Sequence, residues 1–175
     1  MDVRELITAC VEVEQHRAES LGLTLTTNLP ARLSAVTGDF EALRRVIRGL
    51  IDNAIKYTPQ GGRITVSARE AVHRMTISVS DTGKGIPESD IPYIFDKFYR
   101  VGDDSTVGSP GTSAPGVGLG LYLAQHIVSQ LRGQINVESK QGVGSTFTVV
   151  LPLSIEDVVA KRSEENRDVK ALVGS

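Results

Sequence analysis

The chain of 175 residues has no tryptophan, a single cysteine, and only four phenylalanines and four tyrosines. One thiol cannot form an internal disulfide. That excludes the small secreted scaffolds held together by such bridges and fits a reducing compartment. The three histidines, His16, His73 and His126, are scattered, and none has a cysteine or second histidine at ligand spacing, which argues against zinc. No apolar run approaches the roughly 18 residues of a membrane-spanning helix. The N-terminus, MDVRELITAC, carries charge early and has no apolar signal region. With 19 Lys and Arg against 21 Asp and Glu, the formal net charge is −2, so the basic surplus of a nucleic-acid binder is missing. Three nucleophile or phosphate motifs are absent as well. There is no G-x-x-x-x-G-K-[ST] loop, no G-x-S-x-G elbow and no strand-led G-x-G-x-x-G.

What is present suffices for a packed domain. Hydrophobic residues make up 40% and charged residues 23%, a balance that supports a core and argues against global disorder. Residues 2–20 place Val3, Leu6, Ile7, Cys10 and Val11 on one helical stripe, with Cys10 a buried, inert thiol. Residues 23–30 alternate and predict a strand closed by Pro30. Asp39 is a helix N-cap with Glu41 in the first turn, and Leu43, Val46, Ile47, Leu50, Ile51 and Ala54 form the core stripe that follows. Pro59 and Gly61-Gly62 end that helix. Strands follow at 63–69 and 74–81, then a short helix at 88–95. Residues 101–116 hold four glycines, two prolines and three serines without periodicity, the composition of a mobile loop. A helix at 117–131 and strands at 134–139 and 145–153 complete the domain, expected to span residues 1–153. Residues 154–175 are a charged tail, with Ile155, Val158 and Val159 suggesting a peripheral helix. The pattern predicts an α+β fold. Its form is a two-layer α/β sandwich with a mixed, mainly antiparallel sheet of about five strands and three helices on one face.

The chemistry gathers in four segments: RGLIDNAIKYTP (48–59), DTGKGIP (81–87), IFDKFYR (94–100) and GVGLGL (116–121). On the second helix, Arg45, Gly49, Asn53 and Lys56 cluster beside the core stripe. The Asn53 carbonyl oxygen is a hard ligand suited to Mg²⁺, and Lys56, one turn later, offers a point charge for phosphate. A solvated polar helix face carries the same residue types, so this helix alone decides nothing. Asp81 continues the face of Met75, Ile77 and Val79, which sends its carboxylate to the core side of a strand end. There it needs a donor such as the exocyclic amine of adenine, or serves as the capping aspartate of a D-T-G turn. Gly116, Gly118 and Gly120 open a helix, where backbone N–H groups and the helix dipole make an anion site. Phe95 and Phe98 are expected as core anchors, and Arg100 as a contact for a phosphate or a carboxylate. Together these features suggest an ATP site.

In this order and spacing the motifs resemble the catalytic ATP-binding domain of bacterial sensor histidine kinases. The wider group includes DNA gyrase and the ninety-kilodalton heat-shock chaperones. The resemblance runs over about residues 2–153 and takes in GVGST (142–146) as a further glycine box. It implies an ATP-binding sandwich with a mobile lid over about 98–115. It also implies that Asn53 ligates Mg²⁺, that Lys56 and Tyr57 line the phosphate and ribose side, and that Arg100 joins Asn53 and Lys56 in catalysis. Asp81 would hold the adenine amino group, with Thr146 holding a water nearby. Gly83, Gly85 and Ile86 would border the base, and Gly116, Val117, Gly118, Leu119, Gly120 and Leu121 would cradle the phosphates. The implied activity is transfer of the ATP γ-phosphate to a histidine on a separate dimerisation and phosphoacceptor domain, with a response regulator downstream. The expected location is cytoplasmic, with a parent kinase that can be membrane-anchored, and the chain itself is expected to be monomeric. Two departures stand out. Gly49 occupies the place of an earlier N-box asparagine and can be neither base nor ligand. None of the three histidines lies in a phosphoacceptor box, so the chain is expected to be a piece of a larger kinase. These departures keep open the alternative of a non-catalytic nucleotide-binding regulatory module.

Overall fold

The computed structural model describes residues 2–101 and 118–153. The expected tail helix after residue 153, the greater part of the expected lid, and Gly116 and Val117 lie outside the described residues. Among the described residues no helix is long and apolar enough to cross a membrane.

Helix α1 (Val3–Ser20) starts at Asp2, whose Oδ1 accepts from the N–H groups of Arg4 at 2.8 Å and Glu5 at 3.3 Å. Strand β1 (Thr24–Asn28) is shorter than the alternation predicted, and only Leu25 of it is buried, as befits an edge. Helix α2 (Phe40–Tyr57) is capped by Asp39, which accepts from Ala42 N–H at 3.1 Å. Its C-terminal end is closed by Thr58, whose hydroxyl donates to the carbonyl of Ala54 at 2.6 Å. Strands β2 (Arg63–Ala71) and β3 (Arg74–Asp81) form a hairpin. The short helix expected at 88–95 is reduced to one 3₁₀ turn, Ile91–Tyr93. Its Pro92 has no N–H to extend a ladder. Helix α3 (Gly120–Gln130) and strands β4 (Gln134–Lys140) and β5 (Gly144–Pro152) complete the described chain.

The sheet has five strands in the order β1-β2-β3-β5-β4. Every pairing is antiparallel except β1 with β2, which are parallel and joined through α2. That one crossover makes the sheet mixed. Strict alternation assigns its two faces. Ile64, Val66, Ala68, Met75, Ile77, Val79, Phe147, Val149 and Leu151 are buried on one face, where α1, α2 and α3 pack. The other face is rich in hydroxyls, and strands there are joined by side-chain pairs: Ser78 with Thr148 at 3.1 Å and Ser80 with Thr146 at 2.9 Å. Two layers around one core result.

Helix α2 contributes most to that core. Leu43, Val46, Ile47, Leu50, Ile51 and Ala54 are all buried, with Ile55 in addition. The α1 stripe is buried as expected too, and Cys10 sits in it with its thiol pushed up to about 11 by burial. The stripe also holds a charged group. Glu14 is buried, gripped by Arg17 at 3.3 Å and by Arg48 of α2 at 3.1 Å. A buried carboxylate of this kind is tolerable only because it is paired.

Two neighbouring positions on α2 are expected to respond oppositely. Leu50→Ala empties fully packed space and should destabilise the domain by about 2–5 kcal/mol. A Cβ at Gly49 meets nothing within 4 Å, so Gly49→Ala should stabilise by about 0.5–1 kcal/mol through helix propensity alone. Urea unfolding of both variants checks the pair, and a destabilised Gly49→Ala would contradict the open space seen there.

Candidate functional site

A cleft of about 230 Å³ lies between the C-terminal half of α2, the loop after β3, the 94–101 segment and the start of α3. Its two ends differ in chemistry. Ala54, Ile86, Ile94, Leu121 and Phe147 give an apolar floor, beside which stand Asp81 and Ser145. Asn53, Lys56, Tyr57 and Arg100 line the polar side, together with the glycines Gly118 and Gly120. Phe147 is braced from below by Phe95, ring edge to ring face at 6.5 Å.

The position of Asp81 follows from strand register. It ends β3 on the helix-covered face, paired with Ser145 of β5. Half-burial pushes its carboxyl above the usual carboxylate range, while the backbone N–H groups of Gly83 and Ser145 pull it back. The Gly83 N–H donates to Oδ1 at 2.8 Å, so the turn-capping role is realised. The carboxylate also faces the cleft, so the binding role stays available to it.

The D-T-G-K-G-I loop is clamped from both sides. Lys84 N–H donates to the carbonyl of Tyr57 at the end of α2, at 3.2 Å, and the Lys84 carbonyl accepts from Gly142 N–H at 2.7 Å. Ile86 N–H donates to the Ser139 hydroxyl at 2.8 Å. At Gly85 φ is +66°, and an added Cβ would stand 2.1 Å from the carbonyl oxygen of Lys140. No side chain fits there. The Lys84 ammonium lies 4.7 Å over the ring of Tyr57, a cation–π contact at the cleft rim.

On α2, Lys56 is already engaged. Its ammonium pairs with Asp52 at 2.5 Å, and Asp52 in turn takes Arg17 at 2.6 Å. Burial raises the Asp52 carboxyl, but the hydrogen bonds and charges of Lys56 and Arg17 outweigh it, and the net shift is downward. Asn53 lines the cleft one turn from Gly49 and beside Lys56.

The 94–101 segment is joined to the residues that precede α3. Phe98 N–H donates to the Gly118 carbonyl at 2.9 Å, and both residues take the left-handed backbone, φ +67° and +72°. A Cβ at Gly118 would meet the Phe98 carbonyl carbon at 2.8 Å. Helix α3 starts three residues later than expected, and its N-cap, Leu119, makes no side-chain capping bond. Leu119, whose side chain has no polar atom, thus offers no cap to the first N–H groups of α3 at the end that borders the cleft.

The structure brings most of the expected residues together and separates some. Asn53, Lys56, Tyr57, Asp81, Gly85, Ile86, Arg100, Gly118, Gly120 and Leu121 line the cleft. Gly83 and Leu119 lie in its supporting turns and do not line it. Thr146 is a correction: strand alternation turns it to the opposite face of the sheet, onto Ser80, and Ser145 is the hydroxyl beside Asp81. Phe98 is a second correction. It is 59% exposed, because the left-handed turn directs it outward, and Phe95 alone serves as the core anchor. Sequence reasoning missed Ser145, Phe147 and Asp52. Alternation along β5 carried the signal for the first two, and the (i, i+4) Asp–Lys spacing carried it for the third.

Comparison with known proteins agrees with this fold. The sequence profile of the histidine kinase-, DNA gyrase B- and HSP90-like ATPases matches residues 38–155. The adaptive-response sensory kinase SasA of Thermosynechococcus vestitus is 39% identical over 157 residues, which is 87% of this chain and 39% of that protein. The sensor-like histidine kinase SenX3 of Mycobacterium bovis is 34% identical over 89% of this chain and 37% of its own length. The chain thus spans well under half of these curated relatives. Among solved structures, the mycobacterial sensor histidine kinase MprB superposes with a TM-score of 0.74 at 27% identity, over 87% of this chain and 96% of that one. The profile match, the kinase relatives and the shared sandwich establish that this chain belongs to the histidine kinase-, DNA gyrase B- and HSP90-like ATPase family, as a catalytic domain of the sensor histidine kinase type.

Proposed function

We propose that the cleft binds ATP with Mg²⁺ and presents the γ-phosphate to a histidine on a separate dimerisation and phosphoacceptor domain, from which a response regulator is served. The observation that carries the proposal is the juxtaposition in one cleft of a half-buried carboxylate over an apolar floor with an amide, a lysine and the start of a helix whose N-cap is a leucine. A flat heteroaromatic base with an exocyclic amine suits the first end, and a polyanion suits the second. A full-length relative, ShkA, has been crystallised in complex with AMPPNP. It is 25% identical, with a TM-score of 0.75 over 88% of this chain and 30% of that one.

The residues fit a magnesium nucleotide and do not form a metal cage. Among the described residues no three His, Cys, Asp or Glu side chains converge as a metal cluster, and the Asp52 carboxylate is already held by two cations. Asn53 offers one oxygen, which suits an ion that keeps its waters and takes its remaining ligands from phosphates. Bound there, Mg²⁺ would supply charge neutralisation along the phosphate chain.

The chain's own groups act by binding and orienting. Asp81 accepts the exocyclic N–H of the base, and Ser145 stands next to it. Lys56 and Arg100 bring positive charge to the polar end, and the first N–H groups of α3 add their partial charge. The apolar floor excludes water from the base. Chemistry of this type is mostly positioning, with the acceptor imidazole on the other domain as nucleophile. Gly49 offers no group to activate water, so intrinsic ATP hydrolysis is expected to be slow.

Asp81→Asn separates binding from folding. The amide still accepts the Gly83 N–H but meets the base amine without charge. Affinity for an ATP analogue with Mg²⁺ should fall by about 2–4 kcal/mol, roughly 30- to 1000-fold, in isothermal titration. Stability should move the other way. Because burial raises the folded-state pKa, the ionised carboxylate works against folding once the pH exceeds its ordinary value of 3.8. The asparagine variant should therefore melt at or above the parent at pH 7, and the difference should shrink as the pH falls toward 3. Unchanged nucleotide affinity would remove Asp81 from the adenine role. Phosphoryl transfer is tested by mixing the chain with a sensor-kinase dimerisation domain and γ-labelled ATP. Label on histidine is the expected result, whereas ATP binding without label would favour the regulatory module.

A further inference from the structure

Five charged side chains run in alternating order across the α1–α2 interface and end in the cleft. Arg48 meets Glu14 at 3.1 Å, Glu14 meets Arg17 at 3.3 Å, Arg17 meets Asp52 at 2.6 Å, and Asp52 meets Lys56 at 2.5 Å. Ion pairs on helix surfaces are usually weak and often carry no function. Two observations set this row apart. Its second member, Glu14, has a side chain only 9% exposed, so it cannot return to water and holds Arg17 in place. Its last member, Lys56, lines the cleft beside Asn53. The row is thus anchored in the core through Glu14, next to one end, and open to a ligand at the other.

Lys56 has two competing acceptors once a polyanion enters. It can stay on Asp52, or it can turn to a phosphate oxygen. The choice depends on how well Asp52 is satisfied without it. With Arg17 in contact, the Asp52 carboxylate keeps one cation when Lys56 leaves. Without Arg17 it would be stripped of both, and it would hold Lys56 more tightly. We propose that Arg17 of α1 and Asp52 of α2 are positioning residues for Lys56, setting how readily it is released to the phosphate chain of a bound nucleoside triphosphate. The proposal rests on the reading of the cleft as an ATP site. It makes the seating of α1 on α2 a determinant of phosphate affinity, because Arg17 is the single described side chain of α1 that pairs with Asp52. Any partner that shifts α1 along α2 then alters triphosphate binding while leaving the base pocket untouched.

The test is a double-mutant cycle on the whole 175-residue chain, with AMPPNP·Mg²⁺ and adenosine as the two probes in isothermal titration. Arg17→Gln keeps a donor for Glu14 and Asp52 but removes the charge, and Arg48 still satisfies Glu14. AMPPNP affinity should fall about three- to tenfold, the size of one partly screened charge contact, with adenosine unchanged. Asp52→Asn frees Lys56, so it should tighten AMPPNP binding or leave it level, and it should abolish the effect of Arg17→Gln in the double variant. An Arg17→Gln effect that persists in the Asp52→Asn background, or that appears equally with adenosine, would overturn the proposal. So would no effect of Arg17→Gln at all. Failure of the ATP-site reading is distinguishable, because the parent chain would then bind neither probe before any variant is compared.

Discussion

The cleft depends on one strand register. Because β5 inserts between β3 and β4, Asp81 is paired with Ser145, and the loops that follow β3 and precede β5 are forced against each other. The contact is backbone to backbone. Gly85 lies where any Cβ would strike the Lys140 carbonyl, and the Lys84 carbonyl takes the Gly142 N–H. A shift of one residue in this pairing would turn Asp81 to the open face of the sheet, since side chains alternate. The buried run of Phe147, Val149 and Leu151 opposite Val79, Ile77 and Met75 opposes such a slip. Hydrophobic burial at the centre of the sheet thus fixes a polar group at its end.

Helix α2 links that sheet to ligand chemistry. Its core stripe is buried from Leu43 to Ile55, about three and a half turns, and leaves the helix no freedom to rotate. The residues one step round from that stripe, Asn53, Lys56 and the bare Gly49, are therefore held toward the cleft without needing side-chain contacts of their own. The C-terminal end of the same helix receives the Lys84 N–H through the Tyr57 carbonyl. The helix that packs the core is also the wall that meets the loop, so packing errors in one become positional errors in the other.

The charges obey the same economy of position. Asp81 is half-buried and its carboxyl is raised, which works against folding at neutral pH, as is common for groups kept for binding. Asp52, nearby on α2, is pulled the other way by two cations and supports the fold. Of these two carboxylates, the one unfavourable to stability stands by the apolar floor and the favourable one holds the lysine of the polar end. The joint of Phe98 and Gly118 ties the 94–101 segment to the start of α3 beside that polar end.

The helical stripes, the strand alternation and the glycine boxes were legible in the sequence, because periodicity and turn chemistry are local. They gave the sandwich, the three helices and most of the cleft lining. The burial of Glu14 was not legible, since its tolerance rests on Arg48, which is remote in sequence. The choice of Ser145 over Thr146 needed the strand parity that only pairing with β3 sets. Phe98 looked like a core aromatic and was turned outward by a left-handed backbone at the point where its N–H meets the Gly118 carbonyl. Local spacing determined which residues were available for nucleotide chemistry. Long-range register and helix packing decided which of them face the cleft, because alternation and helical rotation assign a side chain to a face only after the partner element is in place.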